Sequence, residues 1–172
     1  MPYLNDFSSS GAPLDMTASP EFASLCQSAS DLGISHSDEI RYVSTNVIAR
    51  HQRFHLLEWG NPSQPTLLLL HGGNQTAHSW DLVSLHLADQ FHIIALDQRG
   101  HGDSEWARDA DYSSNAMAAD ACAVLEALKI ESVTVIGHSM GGMNTMRLAV
   151  DQPESAARVV LVDIGPELSD QG

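Results

Sequence analysis

Basic residues are scarce in this chain. It has 8 lysines and arginines against 22 aspartates and glutamates, which gives a formal net charge of −14. Nucleic acids and anionic membranes are bound through basic patches, so we expect neither as a partner. Only two cysteines are present, Cys26 and Cys122, and they lie far apart without metal-ligand spacing. This scarcity predicts free thiols in a reducing compartment. The nine histidines form no H-E-x-x-H pattern, so no metal site is predicted either.

Long apolar runs are also absent. The run TLLLL at 66–70 has the length of a buried strand and is far too short for a membrane-spanning helix. No basic residue precedes Arg41, and no apolar segment follows the first residues. The sequence therefore predicts neither a signal peptide nor an arginine-rich transit peptide, and a cytoplasmic location is expected.

Composition divides the chain near residue 37. Residues 1–37 are rich in serine and alanine and lack a strand pattern, which predicts an N-terminal extension that is poorly ordered or forms a short helix. Ser19 and Pro20 suit the cap and the first position of such a helix. Residues 38–172 carry the regular patterns of a folded domain.

The pattern after residue 38 predicts an α/β fold. An antiparallel hairpin is expected first, with strands at 39–45 and 53–60 and a turn near 46–48. Later strands are predicted at 66–70, 91–97, 132–137 and 157–165, and the helices between them at 78–88, 114–129 and 142–152. This order is typical of a doubly wound, mostly parallel sheet with helices on both faces. Functional groups gather at the carboxyl ends of such strands.

A serine flanked by glycines stands at one of these strand ends. Residues 137–141, GHSMG, fit the G-x-S-x-G pattern between a predicted strand and a predicted helix. Larger side chains in place of Gly137 or Gly141 would collide with the neighbouring strand or helix. The pattern predicts Ser139 as a nucleophile at a helix N-terminus, where free N–H groups favour developing negative charge.

Three segments carry a family resemblance. LLLLHGG, DQRGHGDS and GHSMGG, in this order, resemble the N-terminal half of α/β-hydrolases over residues 39–168. The resemblance implies a serine hydrolase that cleaves small acyl substrates (carboxylic esters, lactones or thioesters) through an acyl-serine intermediate, without a cofactor or metal. It also implies an oxyanion hole formed by the backbone N–H groups of Gly73 and Met140. Dehalogenases and epoxide hydrolases of this fold carry aspartate where this chain has Ser139.

Several polar residues near these motifs have other interpretations. His71 is interpreted as a structural residue that fixes the loop 71–73, here called the oxyanion loop because it carries Gly73. Asp97 and Arg99 are expected to form an internal ion pair or hydrogen-bonded pair. His101 is a weak candidate for the base because it precedes the serine, and His138 is expected to point away from the hydroxyl of Ser139.

The resemblance also implies a catalytic triad of serine, an acidic residue and histidine, and its acid and base are harder to assign. Asp163, at the end of the strand predicted at 157–165, is a candidate acid because a charge buried there would need a partner. Alternatively it caps the strand, and the acid lies one strand later, as in most family members. No histidine follows His138, so the base of the family is missing.

The missing histidine leads to three hypotheses. We expect a fragment of a longer hydrolase, inactive as the 172-residue chain alone. The alternatives are that a partner chain supplies the base, or that the protein is a non-catalytic α/β-hydrolase-like binding module. The apolar strand 157–165 is expected to form an exposed sheet edge, through which the chain could self-associate.

Overall fold

The computed structural model describes residues 12–165. Its seven strands are β1 Leu14–Asp15, β2 Tyr42–Ala49, β3 Gln52–Trp59, β4 Thr66–Leu70, β5 His92–Leu96, β6 Val133–His138 and β7 Ala156–Val162. Its α-helices are α1 Pro20–Asp31, α2 Asp81–Leu87, α3 Ser114–Leu128 and α4 Met140–Asp151. A short 3-10 helix, Ala77–Trp80, leads directly into α2.

The strands form one mixed sheet in the order β1-β2-β3-β5-β4-β6-β7. Strands β1, β2 and β3 pair antiparallel, and β3 pairs antiparallel with β5. Strands β5, β4, β6 and β7 are parallel neighbours. The predicted α/β class is therefore confirmed, including the opening hairpin and the position of β7 beside β6.

The hairpin turn lies later than predicted. Residues 46–48 continue β2 and pair with β3, and the chain reverses at Arg50 and His51. Both residues have positive φ, 48° and 61°, as in the two-residue turns that match the twist of a hairpin. The β-branched residues Val47 and Ile48 favour a strand over a turn.

Apolar layers cover both faces of the sheet. On one face α3 and α4 pack over Leu68, Leu70 and Ile94. On the other face α1 and α2 pack over Leu57 and Ile93, among other residues. Each helix buries an apolar stripe against the sheet, so the two faces together form the core of the described chain.

The helix predicted to begin at Pro20 is present. The side chain of Ser19 accepts a hydrogen bond from the backbone N–H of Phe22, as an N-cap residue does. The Phe22 ring lies 5.8 Å from that of Tyr42, which stacks on Trp59 at 3.6 Å between ring centroids. Residues 20–31 thus pack on the sheet, while the division of the chain at residue 37 stays a prediction.

Two boundaries matter for the site. Helix α4 begins at Met140, directly after the serine, two residues earlier than predicted. Strand β7 ends at Val162 and not at residue 165, so Asp163 follows the strand and does not belong to it. No helix of residues 12–165 combines the length and the apolar character needed to cross a membrane. A cytoplasmic location stays a prediction.

Candidate active site

Ser139 occupies a strained turn between β6 and α4. Its φ is 48° and its ψ is −113°, an arrangement that side-chain-bearing residues rarely adopt. Its backbone N–H donates to the carbonyl of Val162 at 3.0 Å, and its own carbonyl accepts from Gly142 at 2.9 Å. The Ser139 side chain does not cap the helix, so the hydroxyl is not committed to α4. These contacts fix the strand-to-helix turn that the G-x-S-x-G pattern predicts.

The two flanking glycines are required by space. A Cβ at Gly137 would lie 2.3 Å from the carbonyl oxygen of Gly141 and from the hydroxyl of Thr145. A Cβ at Gly141 would lie 2.2 Å from the backbone oxygen of Leu70. The predicted collisions are therefore confirmed. They also show that the start of α4 presses on the end of β4, where the loop 71–73 begins.

His71 fixes that loop, as predicted. The side chain is fully buried, and its Nε2 accepts a hydrogen bond from the backbone N–H of Gln98 at 3.1 Å. Its Nδ1 donates to the carbonyl of Gly72 at 2.8 Å, and the Gln98 amide donates to the His71 carbonyl at 2.7 Å. Burial lowers the pKa of His71, so the ring is neutral and keeps one proton on Nδ1.

The donors proposed for the oxyanion hole are not used elsewhere in the described chain. The N–H of Gly72 donates to the side-chain oxygen of Gln75 at 2.9 Å, whereas the N–H of Gly73 bonds to no residue within 12–165. Met140 is the first residue of α4, and the first N–H groups of a helix have no acceptor inside it. Gly73 and Met140 each therefore offer an N–H group that the fold leaves available.

Asp163 differs from the buried acid that the sequence suggested. Its side chain is 82% exposed, so burial gives no reason for it to need a partner. Its Oδ2 lies 3.5 Å from Nε2 of His138, and its backbone φ is 56°. The expectation of a buried charge is wrong for residues 12–165, because β7 is an outermost strand of the sheet that they form. The role of Asp163 in a triad stays a prediction.

His138 lies between two acceptor oxygens. Its Nδ1 contacts the side-chain oxygen of Gln75 at 3.1 Å, and its Nε2 faces Asp163. These contacts bring together the oxyanion loop, the strand-to-helix turn at 137–141 (here called the elbow) and the end of β7. The ring nitrogens of His138 thus face these two residues, and neither forms a hydrogen bond with the hydroxyl of Ser139 in the described residues.

Asp97 and Arg99 do not pair with each other, contrary to expectation. Asp97 accepts a hydrogen bond from Nδ1 of His55 at 2.8 Å. Arg99 forms a bidentate, buried ion pair with Asp120 of α3. Both residues therefore form buried pairs, as expected, but the partner of Asp97 comes from β3 and that of Arg99 from α3. His101 donates from Nδ1 to the carbonyl of Arg99 at 3.0 Å, and within residues 12–165 it forms no hydrogen bond with Ser139.

Sequence reasoning missed the buried polar residues that support these loops, His55 and Asp120. Asp120 was detectable, because its helical spacing from Ala116 and Val124 places it on the apolar face of α3. His55 was detectable as well, because its alternation with Leu57 places it on a buried face of β3. Within residues 12–165 no three histidine, cysteine or acidic side chains are grouped as metal ligands.

The chain is similar in sequence to known hydrolases. A family model described as the alpha/beta hydrolase fold matches residues 65–171. An esterase of Mycobacterium tuberculosis is 35% identical over 153 residues, which cover 88% of this chain and 48% of the relative. A fluoroacetate dehalogenase of a Burkholderia species is 39% identical over 108 residues, which cover 60% of this chain and 36% of the relative.

The fold is also that of solved hydrolases. The crystal structure of a membrane phospholipase A superposes with a TM-score of 0.73 at 26% identity, covering 87% of this chain and 47% of that protein. This chain spans about half the length of the esterase and the phospholipase, and about a third of the dehalogenase. Because the family model matches more than half of its residues, the chain belongs to the α/β hydrolase fold family.

Proposed function

We propose that this chain contributes the nucleophile half of a serine hydrolase that cleaves carboxylic esters, lactones or thioesters. Ser139 is the nucleophile, Gly73 and Met140 supply the oxyanion hole, and Asp163 is the acid. The observation that carries the proposal is the strained backbone of Ser139 at the first turn of α4. Strain of this kind persists where the surrounding structure imposes it, and it is concentrated at functional sites.

The chemistry follows the acyl-enzyme route. The hydroxyl of Ser139 attacks the substrate carbonyl, the Ser139 Oγ–C bond forms, and the leaving alcohol or thiol departs with a proton. Water then hydrolyses the acyl-serine. The carbonyl oxygen becomes negative in both steps, and the N–H groups of Gly73 and Met140 stabilise it. Removing one such donor typically costs about 2.7–4 kcal/mol of transition-state stabilisation.

Contact between the two donor segments supports this assignment. The collision distances at Gly141 place the start of α4 against Leu70 and His71. Because His71 is held by Gln98, the loop that carries Gly73 has a fixed position relative to Ser139. Donors that are fixed before the reaction need no reorganisation when charge develops.

The base is proposed to come from outside these 172 residues. No imidazole among residues 12–165 hydrogen-bonds to the side chain of Ser139, and the sequence has no histidine after His138. The relatives extend well beyond the matched region, which supports a histidine in the unmatched part. Without that base the Ser139 hydroxyl keeps its proton, so we expect no ester turnover by the 172-residue chain alone.

Serine at position 139 favours acyl transfer over the other reactions of the family. The resemblance associates dehalogenases and epoxide hydrolases with aspartate at the elbow. A relative named as a dehalogenase therefore does not carry its reaction over to this chain. The relative named as an esterase is consistent with the proposal.

The test uses the native full-length protein and a fluorophosphonate probe. We expect a covalent label on Ser139, and hydrolysis of a short p-nitrophenyl ester that Ser139→Ala abolishes. Peptide mapping of the label identifies the serine directly. If the full-length protein neither hydrolyses acyl esters nor labels at Ser139, the absence of an imidazole partner favours the second candidate, a non-catalytic binding module of the same fold.

A further inference from the structure

A second serine in this chain lies in a complete serine–histidine–aspartate arrangement. The hydroxyl of Ser44 lies 2.9 Å from Nε2 of His55. Nδ1 of His55 lies 2.8 Å from Oδ2 of Asp97. The three side chains come from neighbouring positions in the sheet: Ser44 from β2, His55 from β3, and Asp97 from the residue after β5.

The positions of the protons follow from these contacts. The carboxylate of Asp97 can only accept, so Nδ1 of His55 carries the ring proton of the neutral imidazole. Nε2 then has a free lone pair, and the hydroxyl of Ser44 donates to it. This is the tautomer in which a histidine acts as general base toward a serine hydroxyl.

Asp97 is held rigidly as an anion. Its carboxylate also accepts from the backbone N–H of Ala77 at 2.6 Å and from that of Asp103 at 3.0 Å. Burial raises the pKa of Asp97, but these hydrogen bonds and the one from His55 lower it by more. The net shift of the pKa is therefore downward. His55 is 5% exposed and Asp97 2% exposed, so the pair is shielded from water.

Ser44 is less buried than its two partners. It is partly buried, and its β1 partner Leu14 is 61% exposed. Strand β1 pairs only with Val43 and Ser44, so in the described chain β2 has a free edge from Thr45 onward. Ser44 is thus the partly exposed end of the arrangement, whereas the base and the acid are buried.

A second series of hydrogen bonds from a hydroxyl through an imidazole to a carboxylate gives an internal comparison. The hydroxyl of Thr66 lies 3.1 Å from Nδ1 of His92, and Nε2 of His92 lies 3.0 Å from Oε1 of Glu58. In this second series Arg41 also pairs with the carboxylate of Glu58, at 2.8 Å, and the threonine hydroxyl is a secondary alcohol. No such cation contacts Asp97 in the described chain, so His55 keeps the full support of its carboxylate.

We propose that Ser44 is a second activated serine, with His55 as its base and Asp97 as a positioning residue, and that small acyl or phosphonyl electrophiles modify it. In reaction with a fluorophosphonate the Ser44 Oγ–P bond forms and the P–F bond breaks. The hydroxyl proton passes to Nε2 of His55 and then to water, and fluoride leaves. The proposal is independent of the role of Ser139.

The experiment treats the 172-residue chain with a fluorophosphonate and maps the labelled tryptic peptides over time. Cleavage after arginine and lysine leaves Ser44 as the one serine of peptide 42–50 and Ser155 as the one serine of peptide 148–158. Peptide 130–147 holds both Ser132 and Ser139, and fragment ions of that peptide assign its label. Ser155 is also partly buried but has no imidazole partner in the described chain. General-base catalysis typically contributes about 10²–10⁴-fold, so Ser44 should label at least about 100-fold faster than Ser155.

Two histidine variants separate activation from general loosening of the fold. His55→Gln should slow labelling of Ser44 by about 100-fold or more. His92→Gln removes an equally buried imidazole from the second hydrogen-bonded series. It should leave the labelling rate of Ser44 within about 2-fold of the wild-type rate. Because the map reports Ser139 separately, failure at Ser44 is distinguishable from failure of the nucleophile assignment.

A cysteine variant keeps the test valid if His55→Gln does not fold. In Ser44→Cys the imidazole remains and should promote the thiolate, which iodoacetamide alkylates. Burial raises the pKa of both native thiols, Cys26 and Cys122, so the introduced thiol should react at least about 10-fold faster than either. Labelling of Ser44 no faster than that of Ser155, labelling unaffected by His55→Gln, or an introduced thiol no more reactive than the native thiols would each overturn the proposal.

Discussion

Ser139 shows how single residues define this site. Its backbone conformation costs about 1–3 kcal/mol for a residue with a side chain, and the fold must supply that energy elsewhere. The contacts that hold it are backbone hydrogen bonds to Val162 and Gly142. The sequence indicated this turn because only glycine fits at positions 137 and 141.

The partners of charged residues were harder to predict. Arg99 pairs with Asp120, which lies 21 positions later in another element. Asp97 pairs with His55, which lies 42 positions earlier. Such choices depend on which elements become neighbours in the sheet, and a local motif such as DQRGHGDS carries no information about them.

Gly141 provides a stability test of the elbow. Gly141→Ala places a methyl group 2.2 Å from the backbone oxygen of Leu70, which cannot move without disturbing β4. We expect the substitution to lower the free energy of unfolding by about 1–3 kcal/mol. Gly73→Ala is the matched control, because its Cβ would meet no atom within 4 Å. Equal urea midpoints for the two variants would contradict the packing argument.

Asp163 provides a test of the acid assignment. In the full-length protein, Asp163→Asn should lower ester turnover by about 10⁴-fold, the effect expected when the histidine loses its orienting carboxylate. Asp151→Asn is the control, since it removes an exposed carboxylate on α4 that pairs with Arg147. Near-normal turnover of Asp163→Asn, with the fold intact by circular dichroism, would move the acid to a later residue.

At the scale of elements, periodicity identified every strand of the parallel part of the sheet and the helices between them. The errors lie at element ends. The hairpin turn at Arg50 and His51 uses two side-chain-bearing residues at positive φ, without the asparagine or glycine that usually signals such a turn. The break between the 3-10 helix and α2 likewise has no marker in the sequence.

The ion pair that joins β3 to β5 predicts a pH dependence. The hydrogen bond from His92 lowers the pKa of Glu58 to about 2, against the opposing effect of burial and with further lowering by Arg41. The folded-state pKa lies below the ordinary value of 4.5, so the stabilisation is full well above pH 4.5. It is lost as the pH falls through about 2.

Glu58→Gln measures this contribution. At pH 7 the difference in unfolding free energy between wild type and variant should be about 3 kcal/mol, falling to about 1 kcal/mol at about pH 3. Urea unfolding at the two pH values gives both numbers. Asp151→Asn is the control at neutral pH, because its ion pair is exposed and should contribute less than about 1 kcal/mol. A Glu58→Gln difference that does not change with pH would refute the pKa assignment.

At the scale of the whole molecule, the layer order and the sheet position of the elbow were predictable from the sequence. The packing of α1 on the sheet was not, because its serine- and alanine-rich stretch looks like a loosely held segment. Phe22 supplies the contact, and an isolated aromatic residue does not identify its partner. The exposed carboxylate of Asp163 likewise depends on β7 being the outermost strand.

The edge formed by β7 predicts self-association of the 172-residue chain. Val159, Val160 and Val162 are 39%, 44% and 38% exposed on an outermost strand of the described sheet. Unpaired apolar edges recruit other strands, so light scattering should find dimers or larger species. Val160→Lys places a charge on this edge and should shift the distribution toward monomer. A monomeric wild-type chain with cooperative unfolding would contradict this expectation.

The central claim is that Ser139 is the nucleophile of an acyl-transfer enzyme. The most direct measurement is mass-spectrometric mapping of the fluorophosphonate label on the full-length protein, alongside turnover of p-nitrophenyl butyrate. We predict a rapid label on Ser139, and loss of both that label and the turnover in Ser139→Ala. Turnover that survives Ser139→Ala, or a full-length protein that hydrolyses the ester with Ser139 unlabelled, would contradict it.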